Sequence, residues 1–225
     1  LFVALARPEQ GFERLPEAGE GVDIIITLDV SGSMTQTDYY PSRLAAAKKA
    51  ALTFIEGRPN DRIGLVIYAD QPRTLCPPTF DHTTLERFIQ SAELGNLPDG
   101  TAIGAGLAVA AKGFNYSQTS RRVVVLISDG EDTSSQVDPI TVAQAVNTIH
   151  GDSLKVYTVA IGKPSSEEGL GLDTETLTYI AELNGGKLFN VESPEELNEV
   201  YSAIDSLEAS TLPAAGLFVY RDAYM

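Results

Sequence analysis

The sequence predicts an α/β fold, a doubly wound and mostly parallel sheet of six strands with helices on both faces. Short apolar runs alternate along the chain with segments whose apolar residues recur at helical spacing. The runs are nearly continuous, as is typical of parallel strands that helices cover on both faces. Such alternation implies right-handed crossover connections and a sheet that binds ligands at the carboxyl ends of its strands.

The predicted strands are short and are separated by helical segments. In chain order they are Ile24–Leu28, Ile63–Ala69, Arg73–Leu75, Val123–Ile127, Leu154–Gly162 and Lys187–Phe189. The third is expected at an edge of the sheet, because Pro77 and Pro78 follow it and proline cannot donate to the backbone ladder of a central strand.

Capping residues predict where the helices begin. Pro41 or Ser42 begins the first helix, and Gly57 ends it. Three aspartates are predicted N-caps of later helices: Asp81, Asp138 and Asp173. A capping box at residues 193–196 begins the last helix.

Apolar spacing predicts the buried faces of these helices. The residues expected in the core are Leu85, Phe88, Ile89, Val142, Ala143, Val146, Ile149, Leu177, Ile180, Ala181, Leu197, Val200, Tyr201, Ile204 and Leu207. Residues 102–111 are rich in small side chains and predict a buried helix whose glycines permit close packing. A phosphate-binding interpretation of Gly104 and Gly106 is weak, because no strand precedes them. The polar, Gly-rich loop at 163–172 is expected to be mobile.

The composition disfavours nucleic-acid binding and limits which other features the chain can have. A formal charge of −15, from 16 Lys+Arg against 31 Asp+Glu, repels nucleic-acid phosphates and anionic lipid headgroups. The one cysteine, Cys76, allows no intrachain disulfide and is expected to be a small buried residue. No window approaches the ~20 apolar residues that a membrane-spanning helix requires.

The two ends of the chain differ from its middle. Residues 1–21 have no periodicity and are interpreted as a lead-in segment, residues 22–208 as one domain, and residues 209–225 as a tail. Both ends contain apolar stretches, at 1–6 and at 214–220. Two interpretations stay open: each stretch is the cropped edge of a membrane helix, or each is a frayed apolar terminus.

Polar motifs follow two of the predicted strands. The sequence DVSGS at positions 29–33 comes directly after the first strand, and Asp129 comes after the fourth. Carboxylates and hydroxyls are hard oxygen donors of the kind that Mg²⁺ prefers. The sequence therefore predicts a metal site, although Asp, Ser and Gly after a strand are also ordinary turn residues.

The D-x-S-x-S pattern resembles the metal-ion-dependent adhesion site (MIDAS) of von Willebrand factor type A (VWA) domains, which have a Rossmann-like fold. In that family a threonine from a later loop and an aspartate after a further strand complete the site, and Thr101 and Asp129 match them. The resemblance, which covers residues 20 to 208, implies that Mg²⁺, or Mn²⁺ or Ca²⁺, is bound. The implied ligand set is Asp29, Ser31, Ser33, Thr101 and Asp129. It further implies that the serines coordinate directly, the aspartates act largely through waters, and a partner protein's Asp or Glu fills the open position.

Other segments resemble one group within the family, the bacterial aerotolerance (Bat-type) proteins. They are residues 6–8, 61–65, 74–77, 100–104 and 172–177. This resemblance implies a bacterial protein anchored by membrane helices before and after the VWA domain, which works with MoxR-type AAA+ ATPases. It leaves open on which side of the membrane the domain lies.

Two other functions remain as alternatives to an interaction module. One is a Mg²⁺-dependent phosphoryl-transfer enzyme, but the chain lacks a G-x-x-x-x-G-K-[ST] loop, and Asp29 lacks the second Asp that haloacid-dehalogenase-type phosphatases carry. We therefore expect no catalytic residues and interpret His82 and His150 as surface or cap residues. The other alternative is a structural domain whose ion only makes the loops rigid.

Four residues that flank the motifs are candidates for a rim around the site. They are Tyr39, Tyr40, Glu131 and Asp132. Solvated turn residues are the plainer interpretation of the acidic pair.

Overall fold

The computed structural model describes most of the chain between residues 21 and 204. The described residues are 21–93, 95, 97–117, 119, 121–129, 132–162, 173–191, 193, 196 and 199–204. The predicted tail, all but residue 21 of the lead-in segment, the expected mobile loop at 163–172, and Leu197, Leu207 and Glu131 lie outside them.

The described residues form a six-stranded sheet, which confirms the predicted fold class. The strands are β1 (Asp23–Asp29), β2 (Arg62–Tyr68), β3 (Pro72–Thr79), β4 (Arg122–Ser128), β5 (Leu154–Ile161) and β6 (Leu188–Val191). Their spatial order is β3-β2-β1-β4-β5-β6. Only the β2–β3 pair is antiparallel. The chain thus leaves β1 toward one side of the sheet and later returns to its other side at β4, so the strand order reverses between these two strands.

Helices cover both faces of the sheet. They are α1 (Arg43–Glu56), α2 (His82–Ser91), α3 (Ile103–Lys112), α4 (Pro139–His150) and α5 (Thr174–Leu183). Residues 199–204 are also helical. On one face Ile24, Ile26 and Leu28 share a core with α1, α2 and residues 200–204. On the other face Ile25 shares a core with α3, α4 and α5. Burial on both faces accounts for the continuous apolar runs in the sequence.

Polar N-caps begin four of the helices, as the sequence predicted. Ser42 caps α1, and Asp81, Asp138 and Asp173 cap α2, α4 and α5, each accepting a backbone hydrogen bond from the third residue after it. Because the first N–H groups of a helix have no partner within the helix, such an acceptor stabilises its first turn.

The glycines of α3 allow close packing, as expected. A Cβ on Gly104 would lie 3.1 Å from the Pro139 Cα atom, and a Cβ on Gly106 would lie 3.0 Å from the Tyr68 ring. Helix α3 therefore approaches both α4 and the sheet closely. Only Ala102 separates Thr101 from the start of α3, so this packing also helps to fix where the Thr101 loop lies.

Two predicted core residues are exposed instead. Ile149 is 75% exposed and Phe88 is 36% exposed. Ile149 is the second-last residue of α4, and Phe88 lies beside the stripe formed by the buried Leu85 and Ile89. Helical spacing predicts the centre of the buried stripe of a helix. It does not predict how wide that stripe is or how far the helix extends past the sheet. Cys76 is buried, as predicted.

The third strand is longer than predicted but lies at the expected edge. It covers Pro72–Thr79 rather than residues 73–75 alone, and its register against β2 shifts twice. No helix in the described part of the chain is long and apolar enough to cross a membrane.

Candidate metal centre

Asp29 is the last residue of β1 and is completely buried. Its Oδ1 atom accepts a hydrogen bond from the Ser31 amide at 2.9 Å, and its Oδ2 atom accepts one from the Ser128 hydroxyl at 3.1 Å. Leu28 pairs with Ile127 in the sheet, so Ser128 ends β4 beside Asp29. Two neighbouring strand ends therefore fix the orientation of this carboxylate.

Hydroxyl groups connect the first loop to Asp129. After β1 the chain forms a short 3-10 turn at Gly32–Thr35, and the Ser31 and Ser33 Oγ atoms lie 3.0 Å apart. The Ser33 hydroxyl donates to the Asp129 Oδ1 atom at 2.7 Å. Four of the five predicted site residues thus form one hydrogen-bonded cluster at the carboxyl ends of β1 and β4, where the strand order reverses.

Thr101 lies in a loop that is fixed from two sides. Its backbone amide donates to the Thr133 hydroxyl at 3.0 Å, and its carbonyl accepts from the Thr133 amide at 2.8 Å. The Asp99 Oδ1 atom accepts from the Gly32 amide at 2.9 Å and from the Gly100 amide at 3.1 Å. Asp99 therefore joins the Thr101 loop to the first motif. The Thr101 hydroxyl takes no part in the hydrogen bonds that join the other four residues.

The second oxygen of Asp129 binds an arginine that sequence reasoning missed. The Arg43 Nη1 atom donates to Asp129 Oδ2 at 3.0 Å, while Nε and Nη2 of the same guanidinium donate to the Asp38 carboxylate. Arg43 is the first residue of α1, where a positive charge opposes the helix dipole, and the first turn contains no acidic residue. A basic residue at that position was the available signal of a nearby carboxylate.

The two site aspartates have perturbed protonation. Burial, and next the charge of Asp129, raise the pKa of Asp29 to about 7. Burial also raises the pKa of Asp129, against the opposing effect of its hydrogen bonds from Ser33 and Arg43. A cation beside the two carboxylates would offset this cost, since an opposite charge favours their ionised form.

The available donors fit a hard divalent cation. Two carboxylates and the hydroxyls of Ser31, Ser33 and Thr101 are oxygen ligands of the type that suits Mg²⁺. Within the described residues, no group of three or more His, Cys, Asp or Glu side chains is placed to hold a metal ion. A bound ion would therefore depend on the hydroxyl groups as well as on the two carboxylates.

The residues predicted to form a rim have different roles. Tyr40 is 89% exposed, in agreement with the prediction, but Tyr39 is completely buried and its hydroxyl donates to the Val191 carbonyl on β6. Asp132 accepts hydrogen bonds from the Ile103 amide at 2.9 Å and the Ser135 amide at 2.9 Å, so it stabilises the start of α3. Tyr39 is therefore a buried anchor for its loop and not a rim residue, because its hydroxyl has an acceptor in the core.

Neither histidine belongs to the cluster. The His82 Nε2 atom lies 3.0 Å from the Asp61 carbonyl oxygen, and the His150 Nδ1 atom lies 3.5 Å from the Arg122 guanidinium. Asp61 precedes β2 and Arg122 begins β4, so both histidines lie toward the opposite end of the sheet.

A family model for the von Willebrand factor type A domain matches residues 24–131, which include the whole cluster. Over these residues, which make up just under half of the chain, the protein is similar to the VWA family. VWA domains are generally interaction modules rather than enzymes. The observed six-stranded sheet with helices on both faces agrees with this assignment.

Curated relatives of this chain come from bacteria. It is 32% identical over 169 residues to an uncharacterized protein of Borreliella burgdorferi. The aligned region covers 75% of this chain and 48% of the relative. The chain is 31% identical over 220 residues to a UPF0353 protein of a Mycobacterium species, and this aligned region covers 90% of this chain and 64% of the relative. The chain thus spans about half to under two thirds of the length of these relatives.

Solved structures of Bat-type proteins have the same fold. An aerotolerance-related membrane protein from Bacteroides fragilis superposes with a TM-score of 0.73 at 25% identity, covering 84% of this chain and 100% of that one. The protein BatB from Bacteroides thetaiotaomicron superposes with a TM-score of 0.72 at 24% identity, covering 85% of this chain and 100% of that one. The similarity to the aerotolerance-related protein confirms the predicted resemblance to this group, and the BatB structure shows the shared fold.

Proposed function

We propose that this VWA domain is a metal-dependent protein-interaction module. Asp29, Ser31, Ser33, Thr101 and Asp129 would hold Mg²⁺, and a partner protein would bind the ion through an Asp or Glu side chain. The observation that carries the proposal is the hydrogen-bonded series Ser31–Ser33–Asp129, which brings hydroxyls and carboxylates from two strand ends together.

Each residue of the cluster has a separate role in this proposal. Asp29 and Asp129 supply the negative charge that a divalent ion requires, and the three hydroxyls supply neutral oxygens. Ser128 and the Ser31 amide orient Asp29, and Asp99 holds Gly32 and thereby the first loop. When bound, the ion supplies a positive centre to which a partner's carboxylate can bind.

One edge of the proposed site reaches the surface. Ser33 is half-buried, Gly32 and Asp99 are exposed, and the Asp38 side chain is 25% exposed. The other four proposed ligands, Asp29, Ser31, Thr101 and Asp129, are buried beneath this edge. The Asp38 and Asp99 carboxylates repel an approaching carboxylate unless positive charge on the partner compensates for the repulsion. We therefore infer that the partner's Asp or Glu is flanked by basic or neutral residues.

The overall charge affects the rate of association more than the strength of the contact. The chain carries a formal −15, so its long-range field opposes an acidic ligand. Salt screens exposed charges beyond roughly 8 Å at physiological ionic strength, while an ion holds a carboxylate at about 2 Å. The short-range attraction therefore decides affinity.

The proposal extends to the protein that contains this domain. The similar Bacteroides fragilis protein is described as an aerotolerance-related membrane protein. On this support we propose that the domain is the soluble part of a bacterial membrane-anchored protein. The resemblance to Bat-type proteins further supports a MoxR-type AAA+ ATPase as part of its system.

A capture experiment tests the metal-dependent interaction. The domain is immobilised with Mg²⁺, partners are captured from a lysate of the source bacterium and identified, and capture is repeated with EDTA, with Asp29→Ala and with Thr101→Ala. We expect capture of the partner to be lost with EDTA and with Asp29→Ala, and to be reduced with Thr101→Ala. Unchanged capture under all three conditions would mean that any bound ion is structural and that the adhesion-type function is wrong.

A further inference from the structure

Arg43 binds one of the proposed metal ligands and a carboxylate on a neighbouring loop at the same time. Its Nη1 atom lies 3.0 Å from Asp129 Oδ2, and its Nη2 atom lies 2.8 Å from Asp38 Oδ2. The Arg43 side chain is 8% exposed and that of Asp129 is fully buried, whereas the Asp38 side chain is 25% exposed. The Arg43–Asp129 pair is therefore shielded from solvent, and screening by salt weakens it little.

The contact places a fixed positive charge where a divalent ion would also bind. The Ser33 hydroxyl holds Oδ1 of Asp129, and Arg43 holds Oδ2. Any cation beside Ser33 and Asp129 therefore shares this carboxylate with the guanidinium. Arginine stays protonated at all relevant pH values, so the repulsion between the two positive charges is permanent.

The position of Arg43 in α1 indicates that the contact is specific to this site. A positive charge at a helix N-terminus is unfavourable, and α1 has no acidic residue in its first turn to offset it. The offset comes instead from Asp129, which follows the end of β4, and from Asp38 in the preceding loop. The contact also affects Asp38, since the hydrogen bond from Arg43 lowers the pKa of the Asp38 carboxyl.

We propose that Arg43 acts as a built-in competitor of the divalent ion at Asp129, which weakens metal binding and couples metal occupancy to the loop between Asp38 and Ser42. This inference rests on the proposed metal site and adds its regulation. When the ion attracts the Asp129 carboxylate, the hydrogen bond between Arg43 and Asp129 weakens, and the Arg43 guanidinium is then held mainly by Asp38. The loop that responds carries the exposed Tyr40, so occupancy of the site changes the surface beside it.

Titration with Mn²⁺ tests the competition directly. The free Mn²⁺ signal in electron paramagnetic resonance gives the dissociation constant for the intact chain and for Arg43→Gln. We expect Arg43→Gln to bind Mn²⁺ about tenfold more tightly, because it removes a nearby positive charge and leaves Asp129 without its competing partner. If the unaltered protein binds Mn²⁺ and Arg43→Gln binds it equally or more weakly, the inference about Arg43 is wrong but the proposed metal site stands. Failure of both proteins to bind Mn²⁺ overturns the proposed metal site as well.

Arg58 provides a matched control for the loss of a buried arginine. It follows the other end of α1, is 6% exposed, and pairs with Asp61 at 2.7 Å. Arg58→Gln should lower stability but leave the Mn²⁺ dissociation constant unchanged. A gain in affinity in this variant would show that loosening α1 alone strengthens binding, and it would overturn the role assigned to Arg43.

A second variant tests the coupling even if Arg43→Gln folds poorly. Asp38→Asn removes the other partner of Arg43, so the guanidinium should hold Asp129 more strongly and Mn²⁺ should bind several-fold more weakly. In the Arg43→Gln background, Asp38→Asn should have little further effect, since its action passes through Arg43. If Asp38→Asn lowers the Mn²⁺ affinity equally in both backgrounds, its effect is a general charge effect, which contradicts the coupling. Unchanged Mn²⁺ binding by the single variant Asp38→Asn also contradicts the coupling.

Discussion

The Asp99 carboxylate accepts a hydrogen bond from the Gly32 amide at 2.9 Å, although 67 positions separate the two residues in sequence. Asp99 also accepts from the Gly100 amide, and Thr101 follows directly. One exposed side chain thus connects the loop that carries the two site serines to the loop that carries the site threonine. This contact joins the two loops directly, in addition to the bonds to Thr133 that hold the Thr101 loop.

Asp99→Ala should weaken metal binding without removing any proposed ligand. Without the bond to Gly32 the two loops are less well ordered, and we expect the domain to lose about 1 kcal/mol of stability. The rise in thermal midpoint that Mg²⁺ produces should become smaller but not vanish. Calorimetry with and without millimolar Mg²⁺ measures both effects. A full Mg²⁺ response in this variant would contradict the role of Asp99.

Gly32→Ala should have the same kind of effect as Asp99→Ala but a smaller one. A Cβ on Gly32 would lie 3.2 Å from Asp99 Oδ1 and 3.3 Å from Oδ2, so the exposed Asp99 side chain must shift by a few tenths of an ångström, which strains its hydrogen bond to the Gly32 amide. The double variant should then be no worse than Asp99→Ala, because both changes act on one contact. Gly57→Ala is the control, since the added Cβ would make only an ordinary contact of 3.6 Å with the Phe54 carbonyl. Thermal melts of the unaltered protein and of these four variants measure the losses, and additive losses in the double variant would refute the shared contact.

Asp29→Asn should separate stability from metal binding. The Asp29 side chain is completely buried, and its charge is repelled by Asp129. An amide of the same shape removes that repulsion, so we expect the variant in EDTA to be more stable by about 1 kcal/mol, or a few degrees in thermal midpoint. Its stabilisation by Mg²⁺ or Mn²⁺ should be lost, because an ion stabilises only a state that binds it. A variant that melts earlier in EDTA, or still responds to Mg²⁺, would contradict this account.

Tyr40→Ala should weaken capture of the partner while leaving the fold intact. Tyr40 is 89% exposed in the loop beside the site, and exposed aromatic residues often dominate binding at protein interfaces. The control is Tyr116→Ala, since Tyr116 is 93% exposed but follows the end of α3 that lies away from the site. Binding of the purified partner in Mg²⁺ should fall at least about tenfold for Tyr40→Ala only. Equal losses in the two variants, or none in either, would exclude Tyr40 from the interface.

The sequence predicted those parts of the molecule that depend on local patterns. The strand β1 and the caps such as Asp81 follow from residues close together in the chain. The convergence of Asp29 and Asp129 follows instead from the fold class, because β1 and β4 are neighbours in the sheet. A doubly wound sheet brings strand ends together whatever its loops contain, so the motif and the fold class supported each other. The metal role of these residues stays a prediction.

Contacts between distant segments were not predictable in the same way. Arg43 and Asp129 are 86 positions apart, and nothing in either segment specifies the other. Tyr39 and Tyr40 are adjacent and chemically identical, yet one is buried and the other exposed. The choice between them depends on where the loop meets the Val191 carbonyl, which is a property of the assembled sheet.

The proline content of β3 restricts how another chain can attach to the domain. Pro72, Pro77 and Pro78 lie within this edge strand, and proline has no N–H to offer to an incoming strand. A peptide that binds by extending a sheet needs an uninterrupted row of donors and acceptors, which this edge lacks. Recognition by strand addition is therefore disfavoured on the β3 side. Edge-to-edge association of two copies at β3 is disfavoured for the same reason, so neighbouring domains on a crowded surface should leave this edge unpaired.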